Sequence, residues 1–263
     1  MGWLKVQPYG RSGAPGVVAL DAPEATLVEP PLQSRANVLQ TLWIVPGPAA
    51  VWLEVDREGK SARRQLPLRG PMPVAAVAAW TRNEEPLSVT MFLVENQAGT
   101  VQVKSVRLPS GEESVLRESE GRFVGLEIDQ WMGFAWVHLL TKVTDKDPRT
   151  GDPIERLDIA RWSLDEGIVT PGRGWSLPLA PDGLRLEDLR QTVSLPEGAG
   201  IALLFENADG WIACTAGDRA RIQPPADAQV RHPHLVATPA GVCFTFHEDR
   251  RGFSALPVFE RRG

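Results

Sequence analysis

The sequence predicts an all-β chain built from a repeated four-stranded module, and three observations carry that expectation. Glycine and proline, 24 and 23 of 263 residues, punctuate short apolar runs too often for long helices. The runs are rich in Val, Ile, Leu, Phe and Trp. Many are interleaved with polar residues, as around Val101, Val103 and Val106 or Ile154, Leu157 and Ile159, which is the pattern of half-buried strands. One hairpin also recurs: an apolar strand, a polar or acidic turn ending in glycine, and a second strand.

In chain order, Trp3–Gln7 reads as a lone strand. Gly10–Gly16 has glycines reminiscent of a phosphate loop but no Gly-Lys-Ser/Thr ending, and reads as a connector. The hairpin then occurs as Trp52-Leu-Glu-Val-Asp-Arg-Glu-Gly59 and as Phe92-Leu-Val-Glu-Asn-Gln-Ala-Gly99. A third copy is Phe134–Leu140, its turn stretched from Thr141 through Gly151. Leu204-Phe-Glu-Asn-Ala-Asp-Gly210 and Cys243-Phe-Thr-Phe-His-Glu-Asp-Arg-Arg-Gly252 complete the set. Each glycine can supply the positive φ of a tight hairpin, and Asn or Asp beside it tolerates the same region. A strand is expected ahead of each hairpin, at Val38–Val45, Val74–Trp80, Phe123–Ile128, Gln191–Leu195 and Leu235–Thr238. A fourth strand follows the middle copies at Ser114–Glu118, Ile168–Thr170 and Arg219–Ile222. Leu184–Leu189 is the one stretch with a helical pattern, and the last copy runs out at Phe259–Gly263 without an outer strand.

Four strands per copy, with turn glycines about 40–60 residues apart, is the content of a β-propeller blade. The expected architecture is a single domain, residues 1–263, forming a propeller of about five blades, or six if residues 16–29 form a partial one. Trp3–Gln7 would close the ring by pairing with the last blade, protecting its edge. The chain resembles β-propellers as an architecture over most of its length. The Gly-His and Trp-Asp signatures of the tryptophan–aspartate repeat family, the Kelch double glycine and a regular Asp box do not recur. The copies have also diverged further than the near-identical blades of the five-bladed sugar-binding lectins. As a small divergent propeller it resembles the accessory propeller modules of bacterial multi-protein systems, including those encoded beside ATPase and conflict genes, an analogy at the level of fold. The competing architecture is two β-sandwich domains dividing near Asp145–Asp152, which leaves the repeated hairpin unexplained.

The formal charge of −5, from 28 basic and 33 acidic residues, argues against a general nucleic-acid binder and against a polybasic membrane anchor. No apolar run approaches the ~18 residues of a membrane span and no secretory signal opens the chain, so the expected location is the cytoplasm. Arginine outnumbers lysine 23 to 5, and Ala, Gly and Pro are plentiful, the compositional mark of a GC-rich bacterial genome. Cys214 and Cys243 each lie in an apolar run and read as small buried hydrophobes rather than as a disulfide or zinc ligands.

No catalytic, metal or cofactor motif emerges, and the expectation is a protein without cofactor that is not an enzyme. His232 and His234 have the i, i+2 spacing of two ligands on one strand face, but Pro233 suggests a turn and no third ligand is near. His138, between Val137 and Leu139, reads as a core or subunit-contact histidine. Asp145, Asp147 and Asp152 offer oxygen ligands for calcium, yet Arg149 stands where another ligand is wanted, so the loop reads as a solvated hairpin tip. Glu54, Glu95, Glu127, Asp129 and Glu206 are the carboxylates nearest strand ends. Because Glu54, Glu95 and Glu206 share one place in the repeat, a repeated structural task suits them better than the unlike roles of acid and base.

Nine tryptophans accompany a single tyrosine. Trp43, Trp52, Trp80, Trp136 and Trp162 read as packing residues. Trp131 and Trp175, the latter beside Arg173, are expected in connecting loops, where Trp and Arg dominate binding hot spots. The hairpin tips Asp56-Arg57, Asp145–Asp152, Asp209 and Arg250-Arg251 would share one rim of the ring and form a polar, mixed-charge surface suited to a protein partner. The function expected is protein interaction or scaffolding as a subunit of a bacterial complex, with no main role for nucleic acid or membrane. The alternatives are an enzyme or sugar-binding lectin acting over the central channel, and a structural part of a larger assembly.

Overall fold

The computed structural model describes residues 2–6, 16–20, 25–33, 39–45, 47, 49–55, 61–80, 89–97, 99–108, 110–131, 134–165, 167–179, 183–226, 228–248 and 252–260. These form an all-β chain that divides into two compact units, residues 1–119 and 120–263. Among the described residues the only helical turns are 3₁₀, at Leu186–Asp188 and Pro196–Gly198, and no helix is long and apolar enough to cross a membrane.

In the first unit, β1 (Gly2–Val6) pairs antiparallel with β2 (Gly16–Leu20). Two antiparallel meanders follow: β3 (Thr26–Gln33), β4 (Leu39–Val45), β5 (Ala49–Val55) and β6 (Ser61–Pro67), then β7 (Ala75–Trp80), β8 (Val89–Gln97), β9 (Thr100–Leu108) and β10 (Glu112–Glu120). The leading strands of the two meanders are neighbours and run parallel, Glu29 opposite Val77. The second unit holds β11 (Arg122–Trp131), β12 (Phe134–Lys146), β13 (Pro153–Asp165) and β14 (Ile168–Pro178), then β15 (Leu189–Leu195), β16 (Gly200–Asn207), β17 (Gly210–Cys214) and β18 (Arg219–Ile222). Its last sheet has three strands, β19 (Arg231–Thr238), β20 (Gly241–Glu248) and β21 (Gly252–Glu260). Here too the leading strands are neighbours. The Gln191 amide of β15 donates to the Leu235 carbonyl of β19 at 3.2 Å and accepts from the Leu235 N–H at 2.7 Å, while Thr192 donates to Glu127 of β11.

Strand alternation generates the core. Along β20, Val242, Phe244 and Phe246 are buried, while Cys243, Thr245 and His247 occupy the other face. The buried set packs against Leu204 and Ile222 of the preceding sheet, and Phe205, Leu203, Leu140 and Ile159 fill the interface before it. In the first unit Trp80, Met91, Leu42 and Leu108 do the same. Each such side chain contributes about 1.5–3 kcal/mol of burial. Trp43, Trp80 and Trp162 are buried as expected, and the Trp43 indole N–H is satisfied by Thr41 Oγ1 at 3.0 Å.

The sequence places the hairpins around Gly99, Gly151, Gly210 and Gly252 correctly between the second and third strands of their sheets, and all four glycines have positive φ. The first copy is out of frame by one strand. Trp52–Gly59 leads from β5 to β6, the third and fourth strands, so Val38–Val45 contains the second strand and β3 is the first. Gly59 itself lies outside the described residues. A strand–turn–strand motif has the same local physics at any place in a meander, so the repeat alone could not fix the frame. The expected pairing of Trp3–Gln7 with the last blade is also replaced, since Gly2–Val6 takes its register from Gly16–Leu20. A nearby partner costs less loop-closure entropy than a distant one. Residues 16–20 therefore belong to that hairpin rather than to a partial blade. Asp145–Asp152, where two sandwiches would divide, is a hairpin tip inside one sheet: β12 and β13 pair out to Lys146 and Pro153.

Candidate functional site

Two places in the second unit carry exposed or unsatisfied chemistry. The first is the outer surface of the last sheet. Phe253, 84% exposed, stands at the start of β21 opposite His247, whose ring meets it edge-on at 5.4 Å. Ala255 and Pro257 continue the exposed face of the same strand. Val236, 42% exposed, lies across from Cys243, and Cys243 across from Pro257. The face is apolar because β21 alternates up to Val258: Leu256 and Val258 turn inward to the core, which leaves Phe253, Ala255 and Pro257 outside. Among the described residues β21 is also the outer strand of a three-stranded sheet, where the other meanders have four strands. Its position explains why Pro257 is tolerated, because an edge strand leaves one row of backbone groups out of the ladder.

The second place is a polar row crossing three strands. The register sets Glu127 of β11 opposite His138 of β12, and His138 opposite Arg161 of β13; the next row is Asp129, Trp136 and Ser163. The row beyond, Leu140 and Ile159, is apolar and packs on β16, so this face turns from dry to polar within two residues. Burial raises the Glu127 carboxyl above its ordinary range, opposed by the hydrogen bond from Thr192. Burial also raises Asp129, opposed by the N–H of Gly198. His138, 1% exposed, is pushed down to about 4 by burial and then by the nearby Arg161 charge. The Arg161 guanidinium donates to the Gly198 carbonyl, and burial lowers its pKa. Asp129 Oδ2, both ring nitrogens of His138 and Ser194 Oγ are buried without a hydrogen-bond partner. Gly198 fits this corner because it has φ +68 and because a Cβ there would overlap the Trp136 indole. Trp136 in turn stacks on Phe134 with centroids 6.3 Å apart.

Where the structure describes them, the residues singled out from sequence as partner contacts lie in strands and turns of the second unit. Trp175 is not in a connecting loop: it lies in β14 opposite Ile159 and packs half-buried on the core, because β14 begins at Ile168 and runs to Pro178. Trp131 likewise ends β11, opposite Phe134, rather than standing in a loop. Arg173 is exposed on β14, and Asp209 is an exposed turn residue paired with Arg221 at 3.4 Å. Arg250 and Arg251 lie outside the described residues, as do Asp56 and Arg57. A β-bulge between Arg231 and His234, with His232 at φ +50, breaks the regular alternation expected of His232 and His234. Among the described residues no three His, Cys, Asp or Glu side chains are arranged to hold a metal ion. In the stretched hairpin the Asp147 carboxylate accepts from the Arg149 N–H at 2.7 Å and closes its own turn.

The repeated glutamates differ in their partners. Glu95 is buried against Lys104 of the next strand at 2.7 Å, whereas Glu206 reaches back to Arg190 of the preceding strand at 2.9 Å. The Glu54 side chain is outside the described set. Sequence reasoning did name Glu127, Asp129 and His138, but one at a time; Arg161, Ser194 and Gly198 carried no local signal, because only the strand register brings them together. Compared with known proteins, the chain matches no family model and shows no significant similarity to a curated protein.

Proposed function

We propose that this protein is a non-enzymatic interaction module, a propeller of about five blades and a subunit of a bacterial multi-protein complex, which docks its partner by accepting an extended strand along β21. The propeller reading is supported by the order of the sheets, meanders of consecutive strands whose leading strands are neighbours within each unit. The docking reading rests on one observation. Among the described residues the last sheet ends on an outer strand with Phe253 at 84% exposure, where the other meanders carry a fourth strand. An incoming strand would find main-chain hydrogen bonds along the edge and an apolar anchor at Phe253, the two components of strand addition. Pro257 has no N–H to offer, so pairing concentrates on the Gly252–Leu256 half of β21. The partner segment is therefore short, extended and apolar at alternate positions.

A photo-crosslinking amino acid placed at Ala255 in cells should join one discrete partner, and mass spectrometry should locate the junction in such a segment. Phe253→Lys should remove that product, and Phe253→Ala should weaken capture roughly tenfold or more, both with the melting temperature unchanged. Capture indifferent to Phe253→Lys, or arising equally from a crosslinker at Asp209 on another turn, refutes docking at β21.

A further inference from the structure

We propose that the cleft between the β15–β18 sheet and the β19–β21 sheet binds a small aliphatic cation, an alkyl chain ending in an ammonium or guanidinium group, with the chain on an apolar floor and the charge at Asp218 and Glu260. The site lies at the opposite end of β21 from Phe253, and the two proposals stand or fall independently.

Topology gathers the site. In an antiparallel meander the first and third turns share one end, so the β15–β16 turn at 196–199 and the β17–β18 turn at 215–218 come to the same rim. The β19–β20 turn at 238–241 and the last residues of β21, Phe259 and Glu260, come to that end of the neighbouring sheet. Together they border a cavity of about 230 Å³. Its floor is Ile201 and Val242, 1% and 3% exposed, with the half-buried Leu195 and Phe259 beside them. A Cβ on Gly200 or Gly217 at its border would meet nothing within 4 Å, so the space is open there.

The polar chemistry of the lining is one-sided. Its two hydroxyls are spent within their own turns. Thr215 Oγ1 accepts from the Asp218 N–H at 3.1 Å and donates to the Asp218 carbonyl at 3.3 Å, and Thr238 Oγ1 donates to the Gly241 carbonyl at 3.1 Å. The remaining polar side chains are the carboxylates of Asp218 and Glu260, carried by different sheets, and among the described residues no Lys, Arg or His side chain lines the cavity. Glu260 is exposed and among the described residues is in no ion pair. Acceptor side chains without donor side chains select positive charge with N–H groups and oppose an anion. The floor selects hydrocarbon over a bare metal ion, and among the described residues no third metal-ligating side chain joins the pair. A volume below the ~300–1,000 Å³ of sites for drug-sized ligands keeps the ligand small.

Methyl NMR of the full-length protein titrated with n-butylammonium chloride should show saturable shifts at Leu195, Ile201 and Val242, with Val137 and Leu157 unmoved. Each methylene added from ethyl- to butylammonium should tighten binding roughly fourfold. Ammonium chloride at equal ionic strength and 1-butanol should each bind at least about fivefold more weakly. Glu260→Gln and Asp218→Asn should each weaken binding about two- to fivefold, and Glu206→Gln, towards the other end of β16, should leave it unchanged. Equal binding of 1-butanol overturns the cation, and affinity independent of chain length overturns the floor. Absence of saturable shifts at Leu195, Ile201 and Val242, or affinity unaltered in both carboxylate variants, overturns the site. If a variant fails to fold, the alcohol comparison and the shift map of the unmodified protein decide.

Discussion

Replacing His138 by leucine tests the electrostatics of the second unit most directly. The imidazole is 1% exposed, neither ring nitrogen has a partner, and burial holds its pKa at about 4 against an ordinary 6.5. Above 6.5 the ring is neutral in both the folded and the unfolded chain, and its contribution is fully present. As the pH falls through 6.5 the unfolded chain takes up the proton first, while the folded protein resists until about 4, so unfolding becomes progressively easier across that window. The gap of about 2.5 pH units corresponds to roughly 3 kcal/mol lost between about pH 6.5 and pH 4. Glu127 and Asp129 act in the opposite sense, because their raised pKa values let the folded state take protons more readily as the pH drops. The difference between native protein and variant therefore isolates the histidine.

His138→Leu keeps most of the volume and removes both unpartnered atoms. Urea unfolding followed by tryptophan fluorescence should find the variant about 1–3 kcal/mol more stable near neutral pH, the relief of an unsatisfied buried polar group. Its advantage should grow by roughly 3 kcal/mol as the pH approaches 4. An advantage that stays constant with pH means the imidazole is not held neutral. A variant less stable at neutral pH means that His138 has a partner and that burial without hydrogen bonding is the wrong account.

Three further outcomes follow from named contacts. Gln191→Ala removes both bonds to the Leu235 backbone and leaves its N–H and carbonyl unpaired, at a cost of about 2 kcal/mol; hydrogen exchange at the Leu235 amide should accelerate. Glu95→Ala strands the Lys104 ammonium, part-buried at 2.7 Å from its present partner, and should cost about 3 kcal/mol in chemical unfolding. The Glu95→Leu, Lys104→Met double variant should recover most of it. Gly198→Ala demands positive φ of a residue with a Cβ and drives that Cβ into Trp136, so it should lose at least about 1–3 kcal/mol and shift the Trp136 emission.

The strands of this protein were legible because the chain alternates. Val101 and Val103, or Val242, Phe244 and Phe246, show the period of two directly, and the glycines at 99, 151, 210 and 252 mark where each run reverses. What local pattern cannot supply is the count within a meander. The hairpin at Trp52–Gly59 and the hairpin at Phe92–Gly99 look alike in sequence, yet one joins strands three and four of its sheet and the other joins strands two and three. Nor does alternation choose partners. Trp3–Val6 has the same β-forming character whether it meets Gly16–Leu20 or a strand at the far end of the chain, and proximity decided.

The polar row illustrates the same limit at the level of chemistry. Glu127, His138 and Arg161 lie on three strands, each beside apolar residues that make it look like an isolated exception. Only the register aligns them, and only the neighbouring sheet brings Thr192 and Gly198 against them. The register also explains why these exceptions cluster. Leu140 and Ile159 one row away are sealed by β16, so a charge there would have no route to water or ligand. The row at Glu127, two residues along β11 from Gly125, is where the apolar seal gives way to β15 hydroxyls. Polar groups placed there keep partial access while losing much of their solvation. That combination makes the row costly to maintain, and the His138→Leu experiment measures that cost. If His138 proves fully hydrogen-bonded in the folded protein, the row loses its acid sensitivity.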